Sequence, residues 1–133
     1  MKYLLDTNIC IYLIKKNPPE VLEHLGKLSP IDISISSITV AELYYGAENS
    51  IYRERNRLAL EEFFLPLEIL PFDEKAALQY GIIRADLKKK GKIIGAMDML
   101  IASQAIANNL ILVTNNEREF RRISNLKLEN WTE

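Results

Sequence analysis

One cysteine, Cys10, and one histidine, His24, stand in a chain of 133 residues, and that scarcity excludes several classes at once. A lone cysteine closes no internal disulfide, so the chain must hold itself together by packing, as suits a reducing compartment. Cys10 and His24 fall short of the four ligands of a Cys/His zinc site, and a Ser-His-Asp triad would have only His24 as its base. Long apolar runs are also missing. The stretch Ile31 to Val40 is interrupted by Asp32 and several serines, well below the ~20 apolar residues that span a bilayer, so no membrane span is expected. The amino terminus, Met1-Lys2-Tyr3-Leu4-Leu5-Asp6, meets an acid after three apolar residues and cannot form the centre of a signal peptide; a cytoplasmic protein is the expectation. Nor does one sign of charge dominate, with 17 Lys and Arg against 18 Asp and Glu for a net charge of −1. That balance argues against a basic, non-specific nucleic-acid coat while leaving room for a local basic patch.

What the chain does have is 48 % hydrophobic residues, in short runs that alternate with longer helical patterns. A single domain over residues 1–133 is expected, and a chain of this length buries roughly two-thirds of its unfolded surface. Tyr3 to Leu5, Ile33 to Ser36, Leu67 to Leu70 and Leu110 to Val113 read as strands, with Leu126 to Leu128 a weaker fifth. Helical segments follow at Asn8 to Lys16, Ile38 to Asn49, Asp73 to Lys90, Gly95 to Asn108 and Asn116 to Arg122, and two more fill Glu20 to Leu28 and Tyr52 to Leu65. In the longest, Ala76, Tyr80, Ile83 and Leu87 recur at helical spacing. Asn17-Pro18-Pro19, Ser29-Pro30, Pro71 and Gly91 punctuate these runs. The pattern predicts an α/β fold with a central parallel sheet of four to five strands and helices on both faces. The segment from Ala96 to Asn108 is apolar nearly all round, which predicts a buried helix.

Only five aspartates occur, and two of them sit inside apolar text: Leu4-Leu5-Asp6-Thr7-Asn8 and Met97-Asp98-Met99-Leu100. Glu42 lies similarly in Thr39-Val40-Ala41-Glu42-Leu43. A carboxylate placed this way is costly to bury ionised unless a cation or donors compensate it. Asp6 ends the first strand, Glu42 lies in the first turns of the helix after the second, Asp98 opens the buried helix, and Glu119 lies in the short helix after Leu110 to Val113. In a parallel sheet the carboxyl ends of strands and the amino ends of the following helices share one side, so the four acids should converge at one edge. Oxygen-only clusters suit Mg²⁺ or Mn²⁺. Taken singly, each acid has a simpler explanation: Asp6 and Asp98 as helix-terminal acids, Glu42 as a solvated residue, Glu119 as an ion-pair partner of Arg118, Arg121 or Arg122. Their coincidence at one edge favours the metal.

The segments Leu5-Asp6-Thr7-Asn8, Ser36 to Ala47, Asp98-Met99-Leu100-Ile101-Ala102 and Val113-Thr114-Asn115-Asn116-Glu117-Arg118-Glu119-Phe120 together resemble the PIN-domain ribonucleases, and among them the VapC toxins of bacterial toxin-antitoxin pairs. The resemblance runs in order along the whole chain and implies a three-layer PIN-like fold and a Mg²⁺-dependent endoribonuclease. Its metal would be held by Asp6, Glu42 and Asp98. Many PIN nucleases carry a further aspartate in the last motif, where this chain has Asn116 and Glu119. The resemblance assigns Glu119 to a second ion or the attacking water, and Asn116 a carbonyl oxygen. Thr7, Asn8 and Thr114 would orient the acids through hydrogen bonds.

RNA contacts are expected first from Arg118, Arg121 and Arg122, beside the last motif. Tyr44 and Tyr45 follow Glu42 at a spacing suited to packing and read as core or dimer interface. His24 reads as an exposed helix position. The resemblance further implies a homodimer and a small antitoxin protein that sends an arginine toward the acidic pocket. The apolar helices Ile9 to Ile14 and Leu58 to Leu65 could offer that antitoxin a groove. A receiver-like signalling domain, which also gathers acids around Mg²⁺, needs an aspartate after its middle strand; here Pro71 and Phe72 follow Leu67 to Leu70.

Overall fold

The computed structural model describes residues 2–132, leaving Met1 and Glu133 outside the described part. Five strands, β1 (Tyr3–Leu5), β2 (Ile33–Ser36), β3 (Glu68–Leu70), β4 (Ile111–Val113) and β5 (Leu128–Glu129), form one sheet in the order β3-β2-β1-β4-β5. Every pairing is parallel, with Tyr3 opposite Ile33 on one side and Ile111 on the other. The chain builds outward from β1 through β2 to β3, then crosses back to β4 and β5. Its direction of winding therefore changes between β1 and β4, and in such sheets ligands bind at the carboxyl ends of the strands at that point.

Seven helices cover the sheet: α1 (Thr7–Lys15), α2 (Pro19–Gly26), α3 (Ser37–Glu48), α4 (Arg53–Phe64), α5 (Glu74–Lys89), α6 (Ala96–Ala107) and α7 (Glu117–Phe120). Successive strand residues point to opposite faces, and this alternation divides the interior into two cores. Tyr3 and Leu5, Ile33 and Ile35, and Val113 pack with Ile9, Leu13, Val21, Leu43, Leu60 and Phe64. Leu4 and Leu112 pack on the other side with Ile83, Leu87, Ile101, Ala105 and Phe120. Ser34 also points to that side, where its buried hydroxyl donates to the Tyr3 carbonyl at 2.8 Å. The result is the expected three-layer α/β arrangement.

Helix starts are chemically specified. Asp6, Ser36 and Asp73 cap α1, α3 and α5, each accepting a backbone N–H through its side chain. α5 ends in Lys88 and Lys89, and Gly91 follows at φ +66, a left-handed turn that glycine adopts without strain. α6 is buried from Ile101 to Ala105, as its composition predicts. Within it, Gln104 donates to the Leu70 and Pro71 carbonyls at 2.9 and 3.0 Å, clamping the helix that carries Asp98 to the end of β3.

The structure departs from the sequence expectation at β5 and at His24. β5 forms at Leu128–Glu129 rather than Leu126 to Leu128, because the chain first turns through Asn125 at φ 64 and only Leu128 and Glu129 come into register with β4. His24 is not an exposed helix position: its ring stacks on Trp131, centroids 5.6 Å apart and planes 7° from parallel. Of the two expected roles, core or dimer interface, Tyr44 takes the first, packing edge-on against Phe64, while Tyr45 on the same helix projects into solvent and is not core. Glu119, in keeping with the reading that sets aside an ion-pair role for it, takes no part in the ion pair of its helix, since Arg121 pairs with Glu117 at 3.1 Å.

Candidate functional site

The carboxyl ends of β1 and β4, together with the amino-terminal turns of α1, α3 and α6, form the site. Asp6 follows β1 directly and is only 4 % exposed. One carboxylate oxygen accepts the Ile9 N–H at 2.9 Å, and the Thr114 hydroxyl, just past β4, also donates to this carboxyl. Both bonds favour the charged form. Burial outweighs them, and with the charges of Asp98 and Glu42 it raises the Asp6 pKa to about 6. The Asp98 carboxyl, in the first turn of α6, is raised by burial and by the charges of Glu119 and Glu42. Four acids from widely separated parts of the chain thus feel one another across one edge of the sheet.

Neighbouring polar groups hold three of the four. Thr7 Oγ1 donates to Glu42 Oε1 at 2.7 Å, and Thr39 Oγ1 lies 3.2 Å from the same hydroxyl. Thr114 Oγ1 accepts the Asn116 N–H at 2.9 Å, while Asn116 Nδ2 donates to Glu119 Oε2 at 3.2 Å. Asn116 is therefore a holder of Glu119 in this conformation. Asn8 differs from the expectation: it is exposed, and among the described residues its side chain holds no acid. Asn115 adds a tie of its own. Its Nδ2 donates to the Tyr12 hydroxyl at 2.7 Å and so ties the loop after β4 to α1. The partners are too far apart in sequence for any local pattern to signal the bond.

The donor set fits a hard cation. It consists of carboxylates, hydroxyls and an amide, without thiolate or imidazole, and its acids are mutually repulsive until a positive charge joins them. Among the described residues no three side chains already close into a metal cage. The nearby thiol of Cys10 is buried, and burial together with the Asp6 charge pushes its pKa well up, so it is not a soft ligand in waiting.

The three candidate arginines take separate roles. Arg121 is engaged by Glu117, and half-buried Arg122 donates to the Ile93 carbonyl at 3.3 Å. Arg118 is exposed and makes no ion pair among the described residues.

One hollow reaches the acids through Glu42, and a second lies farther along α1 and α3. One, of about 470 Å³, is lined by Thr7, Asn8, Ile11, Ala41, Glu42, Tyr45 and Met97. The other, of about 280 Å³, lies where α1, α3 and α4 meet, with Ile11, Ile14, Leu43, Ala47 and Leu60 in its walls and Lys15 among its lining residues. The apolar helices singled out in the sequence do flank a groove.

Comparison with known proteins places this geometry in context. The family model described as PIN domain matches residues 3–126. A protein of Haemophilus influenzae named ribonuclease VapC2 is 50 % identical over 131 residues, 98 % of each chain. A tRNA(fMet)-specific endonuclease VapC from Salmonella typhimurium is 45 % identical over 131 residues, again 98 % of each. Among solved structures, VapBC2 from Rickettsia felis, bound to a DNA fragment from its promoter, superposes with a TM-score of 0.91 at 50 % identity, covering 98 % of this chain and 99 % of that one.

Proposed function

Since this chain belongs to the PIN-domain family, and within it to the VapC ribonucleases, we propose that Asp6, Glu42 and Asp98 form its metal-binding centre and that Glu119 completes it. The chain is a metal-dependent ribonuclease toxin with an antitoxin partner. The observation that carries the site assignment is placement: Asp6 is buried at the end of β1, Glu42 is fixed by the Thr7 hydroxyl one residue on, and Asp98 opens α6. Burial foremost, with the charges of Asp98 and Glu42 adding to it, raises Asp6 to about 6, a situation that a bound cation would relieve.

Mg²⁺ is the metal proposed, with Mn²⁺ able to substitute; when bound, such an ion neutralises the acids, polarises the phosphodiester and lowers the pKa of a water for attack. The chain's own residues prepare that state. Thr7 fixes one oxygen of Glu42, leaving the other free for a ligand. Thr114 and the Ile9 N–H fix Asp6 at the end of β1, and Asn116 holds Glu119 where it can orient a water toward the phosphorus. Arg118 offers an unengaged positive charge to an RNA phosphate beside the acids. The groove between α1, α3 and α4 is the proposed seat of the antitoxin, whose arginine could occupy the cation's place among the carboxylates. A homodimer and a cytoplasmic location complete the proposal.

The test is cleavage of total cellular RNA and of initiator tRNA by antitoxin-free protein, in Mg²⁺, in EDTA, and with the Asp98→Asn variant. Initiator tRNA is included because the Salmonella relative is named for it. Cutting that requires both metal and Asp98, leaving 5′-phosphate ends, supports the assignment. Full activity of the Asp98→Asn protein overturns it.

A further inference from the structure

Tyr45 is 71 % exposed and Met97 50 % exposed; Tyr45 lies one turn beyond Glu42 on α3, and Met97 stands next to Asp98 in the open first turn of a helix that is buried farther on. Exposure alone is ordinary on this surface, where Ile51 and Leu65 are more exposed still; what sets these two apart is their place beside the acids. The neighbouring Tyr44 is the one that fills the interior, edge-on to Phe64, whereas among the described residues the Tyr45 ring has no aromatic partner and its hydroxyl no hydrogen bond.

What the two residues do share is a hollow. They wall the space of about 470 Å³ together with Ile11 and Ala41, and the same space reaches Thr7, Asn8 and Glu42. Its walls come from α1, α3 and α6, the three helices whose first turns carry or adjoin Asp6, Glu42 and Asp98. A phosphate lying against those acids therefore has this hollow as its immediate neighbour. One of the two nucleosides joined by that phosphate can lie against it.

We propose that this hollow is a nucleobase subsite: the unpaired base adjoining the scissile phosphate stacks on the Tyr45 ring, with Met97 and Ile11 closing around it and the Asn8 amide facing its edge. The chemistry suits each residue. An aromatic face binds any base by stacking, which gives affinity without sequence readout. A methionine is flexible and polarisable enough to follow purine or pyrimidine outlines. An exposed amide with both donor and acceptor is what reads a base edge, and Asn8, which holds none of the acids among the described residues, is the one amide side chain in the lining. The subsite requires a single-stranded or splayed nucleotide, because a base still paired in a helix cannot present its face to Tyr45. It rests on the ribonuclease reading above and adds to it where, and by what side chain, the base is held.

The experiment compares wild type, Tyr45→Ala, Tyr45→Phe and Tyr52→Ala in Mg²⁺, on short unstructured RNA oligonucleotides that differ only in the bases flanking the mapped cut. Tyr52 is an exposed tyrosine on the turn before α4 and serves as the control. Tyr45→Ala should raise KM about tenfold while kcat changes less than about twofold, and should flatten the preference for one flanking base. Tyr45→Phe should restore KM, and Tyr52→Ala should match wild type. Asn8→Ala should leave the stacking contribution in place but alter which flanking base is preferred. A Tyr45→Ala protein that keeps wild-type KM and base preference overturns the subsite alone, and if that variant also elutes as a smaller species its ring belongs to a protein interface instead. Wild-type protein that cuts no RNA under any metal condition overturns the nuclease assignment itself, and the subsite with it.

Discussion

Thr7 Oγ1 donates to Glu42 Oε1 at 2.7 Å, so the first residue of α1 fixes the carboxylate of a helix that follows the next strand. Thr39 extends the link, its hydroxyl 3.2 Å from that of Thr7. The bond removes rotational freedom that Glu42 would otherwise lose on binding a cation. Thr7→Val keeps the shape and deletes the donor. RNA cleavage should fall roughly tenfold at limiting Mg²⁺ and recover in part at high Mg²⁺, since partners behind a metal ligand typically contribute 10–100-fold. Thr7→Ser should behave as wild type. A Thr7→Val enzyme with unchanged metal dependence would show that Glu42 needs no such support.

Asp6 predicts a stability that depends on pH in a definite direction. Its carboxyl binds a proton more tightly when folded, at about 6, than the ordinary 3.8. The folded chain is therefore favoured below that window and loses stability as pH rises through it, with the full cost present above about 6. Asp6→Asn keeps a residue that can cap α1 and removes the charge. In EDTA at pH 7.5 the variant should be more stable than wild type by up to ~3 kcal/mol, a gap that closes toward pH 4. Urea denaturation at the two pH values measures it, and a gap independent of pH contradicts the shift.

Thr114 is the second support of Asp6 and acts from another strand. Its hydroxyl donates to the Asp6 carboxyl and accepts the Asn116 N–H, so one side chain joins Asp6 to the loop that carries Glu119. Thr114→Val should lower kcat by one to two orders of magnitude and weaken Mg²⁺ binding, while Thr114→Ser restores both. Mg²⁺ titration followed by cleavage rate separates the effects.

Arg118 should contribute through charge alone. Exposed and unpaired among the described residues, it is placed to neutralise one phosphate. Arg118→Ala should lower RNA affinity across sequences and reduce the slope of log K against log salt by about 0.7, the value for one contact to a single strand. Arg121→Ala, which first breaks a pair with Glu117, should change the slope less. Equal slopes for wild type and Arg118→Ala would remove that residue from the interface.

Gln104 is a structural counterpart to these site residues. It is fully buried and donates to two carbonyls at the end of β3. Gln104→Ala leaves both acceptors unpaired and opens a cavity in α6, and should cost about 2–4 kcal/mol in urea unfolding. A loss below ~1 kcal/mol would mean that α6 is held chiefly by its apolar contacts.

The strands were readable because a parallel sheet covered on both faces demands apolar text in short runs, and Leu4-Leu5, Ile33 to Ile35 and Leu112-Val113 supply it. The acids were readable for the inverse reason: Asp6 and Asp98 interrupt such text, and strand ends and helix starts share one side of the sheet. What a single sequence did not carry were pairings between distant segments. His24 shows no sign of the Trp131 ring on which it stacks, nor Tyr12 of Asn115. Tyr44 and Tyr45 look alike in the text, and only the rotation of α3 sends one toward Phe64 and the other toward the acids. Asn8 shares a motif with Thr7, but the motif does not say that its side chain faces solvent. β5 was displaced because its two paired residues carry too little pattern to set a register.

β1, the first strand in sequence, lies in the middle of the sheet, and one of its two neighbours is drawn from residues more than a hundred positions away. Closing so long a loop costs only modestly more than closing a short one, because the cost grows with the logarithm of length. Thr114 comes beside Asp6 through this pairing, and α3, which carries Glu42, also meets α6, which carries Asp98. The proposed centre is thus a seam between the two ends of the chain, and neither end carries it alone.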